Sequence, residues 1–233
     1  MKFSLVIPCY NESANLPLLF ERCKKLVDAA EGKVEVVIVN NGSSDDSDEV
    51  LNKLMPQSSA CRMVKVEVNQ GYGFGILSGL KSCESDVIGW THADLQTDPM
   101  DLLDAIRIYE KQGEQSFVKG ERYGRPIADT FFTVGMSFFE TMLMRTGLWD
   151  INAQPTLFPK SFFQTWDNPP FDFSLDLYAY YMAKKAGLRI FRFPVLFGER
   201  AHGVSNWNVD WESKKKFIKR TIDYSFELKK KVK

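Results

Sequence analysis

The chain has 233 residues, 44% hydrophobic and 26% charged, the proportions of one ordinary globular core. Its 30 basic and 30 acidic side chains cancel, so net charge gives no electrostatic case for nucleic acid as a partner. The four cysteines (Cys9, Cys23, Cys61, Cys83) form no C-x-x-C pair, which fits buried reduced thiols and a cytoplasmic location. The first residues carry too short an apolar run for a secretory signal, and no run reaches the roughly 18 apolar residues of a membrane span.

The first half alternates strand and helix. "FSLVIP" is a short apolar run suited to a central parallel strand, and "NESANLPLLFERCKKLVDAA" has helical periodicity with Ser13 as its expected N-cap. "KVEVVIVN" is the second strand, and Ser44 or Asp45 is expected to cap the helix "DDSDEVLNKLM". "CRMVKVEV", the helix "GFGILSGLKSC" and "SDVIGWTH" follow. A helix over "DPMDLLDAIRIYEKQG" has Asp98 at its cap and Pro99 at its opening, and "QSFVKGER" is the fifth strand. Such repeats predict an α/β fold with a mostly parallel, Rossmann-like sheet flanked by helices. Ligands then belong beyond the carboxyl ends of the strands.

The second half is less regular. "DTFFTVGMSFFETMLMRTGLWD" reads as a helix crowded with Phe and Met, and prolines break residues 152–171 into a strand and turns. "SLDLYAYYMAKKAG" is a helix, "LRIFRFPVLFGER" a strand, and residues 211–233 a basic helix. No internal repeat or long linker divides the chain, so one domain is expected.

Several strand-end loops carry chemistry. "VNNGSSDDS" can hydrogen-bond a ribose and base, though taken alone a capped turn is the better explanation. "NQGYGFGILSG" opens a helix with glycines but follows the third strand, which excludes a dinucleotide fingerprint. In "HADLQTD", alternation along an extended strand end would put His92, Asp94 and Gln96 on one side, a donor set for a divalent ion. "GERAHGVSNWN" offers Arg200, His202, Ser205 and Asn206, with Arg200 suited to bidentate bonds to phosphate.

Together these segments resemble the inverting nucleotide-sugar glycosyltransferases of family 2, in the dolichol-phosphate mannosyltransferase and polyprenyl-phosphate glycosyltransferase branch. "VIPCYNE" is similar to that family's first-strand motif, "VNNGSSDDS" to its V-D-D-G-S-x-D turn and "NQGYGFGILSGL" to its N-x-G-x-G-x-A segment. "HADLQTDP" resembles its D-A-D-L-Q-x-P motif, "VKGERY" its G-S-R-Y strand end and "RAHGVSNWN" its R-x-x-G-x-S-K loop. The resemblance implies a GT-A fold with a nucleotide-sugar-binding half (1–122), an acceptor-side half (123–210) and the basic C-terminal helix. It implies a nucleotide-sugar donor over Pro8, Tyr10, Asn11, Glu12, Asn40, Asn41, Gly71 and Ala93, with Ser205 ordering the loop above. The diphosphate would rest on a divalent cation (Mg or Mn) held by Asp94 and Gln96, with His92 at the position of the first motif Asp. Arg122 and Arg200 would meet phosphate.

The chain departs from the family pattern at three places: Asn40–Asn41 replaces paired Asp, His92 replaces the first motif Asp, and Asn206 replaces Lys. The expected acceptor is a lipid phosphate or lipid-linked glycan, which brings a peripheral contact with the inner face of the cytoplasmic membrane. A sugar hydroxyl acceptor would instead need a base, for which "FDFSLDLY" offers Asp172 or Asp176. The Phe/Met-rich helix and the basic tail suit a membrane surface, and a homodimer contact through the aromatics is the competing use. A non-catalytic nucleotide-sugar-binding protein is the alternative of another class.

Overall fold

The computed structural model describes residues 1–125, 127–201 and 211–231. In chain order the elements are β1 (Phe3–Cys9), α1 (Leu16–Ala29), β2 (Val34–Asn41), α2 (Ser47–Leu54), β3 (Cys61–Val66), α3 (Tyr72–Ser82), β4 (Val87–Trp90), α4 (Leu102–Gln112) and β5 (Ser116–Tyr123). There follow α5 (Ile127–Met144), β6 (Thr156–Pro159), α6 (Lys160–Phe163), α7 (Leu175–Lys185), β7 (Arg189–Leu196) and α8 (Trp211–Lys231).

The strands form one seven-stranded sheet in the order β3-β2-β1-β4-β6-β5-β7. β1 pairs in parallel with β2 and β4, and β2 with β3. β6 runs antiparallel to both β4 and β5, while β5 and β7 are parallel. The expected mostly parallel α/β sheet is therefore present, with one reversed strand in its middle.

Both faces of β1 and β2 are covered, which explains their near-continuous apolar sequence. On one face Phe3, Leu5 and Ile7 meet Leu16, Leu19, Phe20 and Cys23 of α1 and Leu102 and Tyr109 of α4. On the other, Val6, Val37 and Val39 meet Ile76 and Leu80 of α3, continuous with Trp90, Phe117, Phe158 and Tyr180. Fully burying each such side chain contributes roughly 1.5–3 kcal/mol. α3 lies directly on the sheet because Gly79 has no side chain: a Cβ there would sit 2.3 Å from Val6 Cγ1.

Of the helices that differ from their expected limits, α1 and α5 differ most. α1 begins at Leu16, because Asn11 takes a left-handed backbone (φ 55°) and residues 11–13 bind the segment after β2 instead. There the Ser13 amide donates to Asp45 Oδ2, and Ser13 is not a cap. α5 ends at Met144, since Arg145 and Asp150 have positive φ (53° and 43°) that a right-handed helix does not accept. Asp98 caps as its position before Pro99 suggested, accepting from the Met100 amide at 3.0 Å. All four cysteines are free and buried.

Candidate active site

The loops after β1, β2 and β4 converge at the carboxyl edge of the sheet. Asn11 holds two of them together: its amide donates to Ser43 Oγ (3.1 Å), and its Oδ1 accepts from the Ser44 amide (2.8 Å). Asn40 serves the turn itself, donating to Asp48 Oδ1 (2.9 Å) and accepting from the Ser43 amide (3.1 Å). Asn41 donates to the Gly71 carbonyl (3.0 Å), and its buried Oδ1 has no partner among the described residues. Of the two, Asn41 is the one with hydrogen-bonding capacity to spare. Gly71 (φ 114°) allows the third loop to approach the 170–172 segment, since a Cβ would meet the Phe171 carbonyl oxygen at 2.4 Å. Tyr10 is exposed at the rim, Pro8 is half-buried and Ala93 is buried.

Residues 91–98 after β4 do not continue extended. Leu95 is left-handed (φ 59°), and the Gln96 amide donates to Asp94 Oδ1 (3.2 Å), closing an Asx turn. The alternation that would align His92, Asp94 and Gln96 is broken there. Asp94, only 7% exposed, faces Arg200, whose Nη2 lies 2.9 Å from Asp94 Oδ2. Gln96 donates through Nε2 to the Gly198 carbonyl (3.2 Å), which pins the segment before Arg200 to the same loop.

Glu12 belongs to this charge cluster. Burial pushes its carboxyl pKa up; a hydrogen bond from Asn15 pulls the other way, nearby Asp94 adds to the rise, and Arg200 opposes it. The result is one guanidinium among two carboxyl groups, bordered by amides, at the edge where an α/β sheet places its ligands.

His92 stands in an aromatic column. Its ring stacks on Tyr72 (centroids 5.6 Å, 26°), and Tyr72 stacks on Phe173 (4.5 Å, 13°). Burial lowers the His92 pKa despite the opposing pull of Asp94 and Asp176, so the imidazole is neutral at neutral pH. The position that departs from the family motif is thus filled by a ring that packs as an aromatic.

The remaining predicted residues are engaged elsewhere. Arg122 is gripped by Asp150, which accepts from its backbone amide (2.8 Å), Nε (2.9 Å) and Nη2. Its guanidinium also lies over the Phe197 ring, 5.2 Å from the centroid. Asp176, 2% exposed, accepts from Gln154 Nε2 (2.5 Å) and lies 3.8 Å from the Nζ of fully buried Lys119. Lys119 also donates to the Ala153 carbonyl (2.6 Å) and Thr156 Oγ1 (3.1 Å). Burial drives both partners toward their neutral forms: Lys119 falls to about 7 and Asp176 rises, each restrained by the other. Asp172 is paired with Arg220 (3.1 Å). Ser205, with His202 and Asn206, lies outside the described residues.

Asp150, Lys119, Tyr72 and Phe173 were not anticipated. Lys119 alone left a visible signal, a lone cation within the apolar start of "SFVKGER". Asp150 sits in an irregular loop whose partner is 28 positions away.

Solved structures share the fold. Glucosyl-3-phosphoglycerate synthase from Mycobacterium tuberculosis, crystallised with Mn2+, UDP-glucose and phosphoglyceric acid, superposes with a TM-score of 0.75 at 18% identity. That match covers 98% of this chain and 79% of the other, and it identifies the GT-A architecture. Among curated proteins, the undecaprenyl-phosphate 4-deoxy-4-formamido-L-arabinose transferase of Pseudomonas syringae pv. syringae is 33% identical over 110 residues, 46% of this chain and 32% of the relative. The same-named protein of Serratia proteamaculans is 34% identical over 116 residues, 47% of this chain and 34% of the relative. The matches thus span about a third of the length of these relatives. The family model for glycosyl transferase family 2 matches residues 4–177, and the chain belongs to that family.

Proposed function

We propose that the chain is a metal-assisted inverting glycosyltransferase that moves a sugar from a nucleotide-sugar donor to a polyprenyl phosphate or related lipid-linked acceptor in cell-surface glycan assembly. The observation that carries the reading is the Asp94–Arg200 pair, beside Glu12 at the strand ends. It joins a carboxylate suited to a cation with a guanidinium suited to a departing diphosphate. The names of the curated relatives support the acceptor class.

The residues fit a divalent cation as a partial site. Asp94 and the Gln96 side-chain oxygen are hard donors, and neutral His92 retains a nitrogen lone pair. Among the described residues no cluster of three His, Cys, Asp or Glu side chains could hold an ion alone. Donor phosphate oxygens would complete the shell, as Mg2+ sites in phosphate chemistry usually require. When bound, the cation offsets negative charge on the leaving diphosphate. Arg200 would bind that diphosphate directly, with Ser205 ordering the loop that carries it. Arg122, already neutralised by Asp150, would leave phosphate binding to Arg200 and instead fix the end of β5. The donor base and ribose would lie over Pro8, Tyr10, Asn11 and Asn41, with Asn40, Gly71 and Ala93 shaping the floor.

An anionic lipid phosphate needs no base, whereas a sugar hydroxyl does. Asp176 is enclosed with Lys119 and Asp172 is tied to Arg220, and both placements favour the phosphate acceptor. For contact with an anionic membrane surface the support is Phe138 and Met142 on α5 and Phe226 on α8, all exposed, near Lys229, Lys230 and Lys231. Among the described residues no helix is long and apolar enough to cross a membrane.

The test is a panel of nucleotide sugars with Mn2+ or Mg2+, followed by undecaprenyl phosphate added to the active donor. Expected are cation-dependent release of nucleoside diphosphate, loss of it in Asp94→Ala, and acceleration by the lipid. No release from any donor would instead support a non-catalytic nucleotide-sugar-binding protein. His92→Asp should change metal preference, and an unchanged preference would make the histidine incidental to the cation. Sedimentation with anionic and neutral vesicles tests the membrane contact; a dimer that ignores both would assign the aromatic face to a second copy.

A further inference from the structure

A cavity of about 60 Å3 lies between α5, the start of α7 and α8, walled by Met136, Phe173 and Leu177 and reached by Arg122, Glu140 and Ser174. By volume it has room for about four water-sized groups. Phe173 connects it to the active-site loops, because the same ring stacks on Tyr72, which stacks on His92.

Two polar atoms make this more than a packing gap. Glu140 is 0% exposed, and its Oε2 has no hydrogen-bond partner among the described residues. Ser174 Oγ is also buried without one, although Ser174 occupies the N-cap position of α7, where a serine hydroxyl ordinarily bonds a helix amide. Buried polar groups are nearly always paired, and two orphans on one cavity point to a ligand that pairs them.

The hydrogen count around Glu140 specifies the ligand further. Ser225 Oγ lies 2.7 Å from both Glu140 Oε1 and the Thr221 carbonyl oxygen. One hydroxyl hydrogen serves only one of those acceptors, and a proton on Glu140 satisfies the other contact. Burial, which raises this carboxyl to about 7, agrees with that assignment. Oε2 is then a neutral carbonyl acceptor that calls for a hydroxyl donor and gives a cation little to bind. An anion has no counter-charge to gain either, because Asp150 already occupies the Arg122 guanidinium. Apolar walls with a few hydrogen-bonding points suit the mixed surface of a polyol.

We propose that the α5–α7–α8 cavity is a subsite for a small neutral diol or triol group, no larger than glycerol, held by Glu140 Oε2 and Ser174 Oγ. The inference goes beyond the transfer reading, since the subsite stands whether or not the chain turns over a nucleotide sugar.

Saturation-transfer NMR on the full chain with glycerol, ethylene glycol, inorganic phosphate and ethanolamine tests it. The two polyols should bind, and phosphate and ethanolamine should not. Glu140→Ala should weaken the polyols several-fold, up to about tenfold, as loss of one hydrogen bond does. Glu140→Gln keeps a carbonyl oxygen and should retain most binding. If Glu140→Ala does not fold, Ser174→Ala at the second orphaned atom gives the same reading. Absence of polyol binding, binding unchanged in both alanine variants, or preference for phosphate or the amine would overturn the proposal. Polyol binding that depends on Glu140 without nucleotide-sugar turnover would sink only the transfer reading, and turnover without polyol binding would sink only this one.

Discussion

Removing the Asp150 carboxylate tests how the end of β5 is held to the 150–154 loop. Asp150 is 3% exposed and takes the backbone amide, Nε and Nη2 of Arg122, with Arg192 Nη2 a further 3.8 Å away. In Asp150→Ala those donors lose their acceptor while the Arg122 guanidinium stays mostly buried, its side chain only 11% exposed. Breaking a buried pair from one side typically costs about 3–5 kcal/mol, because the surviving charge stays desolvated. The Phe197 ring beneath Arg122 and its slight solvent access put the expected loss at the lower end, about 3 kcal/mol. Arg122→Met combined with Asp150→Ala leaves no orphan charge at Arg122 and should recover a good part of the loss. Urea denaturation near neutral pH, with unchanged dependence on denaturant, measures both. Acid adds a second readout. Burial alone would raise the Asp150 pKa, but the hydrogen bonds and charge of Arg122, aided by Arg192, hold it below 3.8. Its stabilisation is therefore complete above the ordinary carboxylate range and is lost as pH falls through the depressed value. The wild type should lose stability more steeply in acid than Asp150→Ala does. A loss under about 1 kcal/mol in the single variant, or a double variant no better than it, would refute the reasoning.

Glu140 has the opposite sign. Its carboxyl is raised from 4.5 to about 7, so its contribution is full below the unfolded value and disappears as pH rises through the folded one. That amounts to at most about 3 kcal/mol, and urea midpoints across neutral pH should show Glu140→Gln losing the decline. Lys119→Met strands the Asp176 carboxyl in the core beside Gln154, and thermal unfolding should report a loss of about 2–4 kcal/mol, smaller when Asp176→Asn is added. Gly71→Ala drives a Cβ to 2.4 Å from the Phe171 carbonyl at φ 114°, and should cost more than about 2 kcal/mol. Gly113→Ala, at φ 85° with nothing within 4 Å, is the control and should cost only its backbone strain, about 1 kcal/mol. Equal losses in the two would remove the close-approach argument.

The sequence by itself determined what depends on neighbours along the chain. Apolar runs at β1 and β2, helical periodicity in α1 and α4, and Asp98 before Pro99 all act within a few residues. Their order therefore dictated an α/β sheet with its loops at one edge, and the motifs placed Asp94 and Arg200 in those loops. Tertiary structure decided which side chains have capacity left for a ligand. Arg122 is claimed by Asp150 and Asp176 by Lys119, across gaps of 28 and 57 positions. No local periodicity encodes such pairs; they exist because the sheet brings the end of β5 against the 150–154 loop and α7. Leu95, left-handed between Asp94 and Gln96, likewise breaks an alternation valid only for extended chain. His92, read from its motif as a possible ligand, gained a second role only when folding laid Tyr72 and Phe173 against its ring. Residue types carry the chemistry, but burial and long-range pairing set which of it is available.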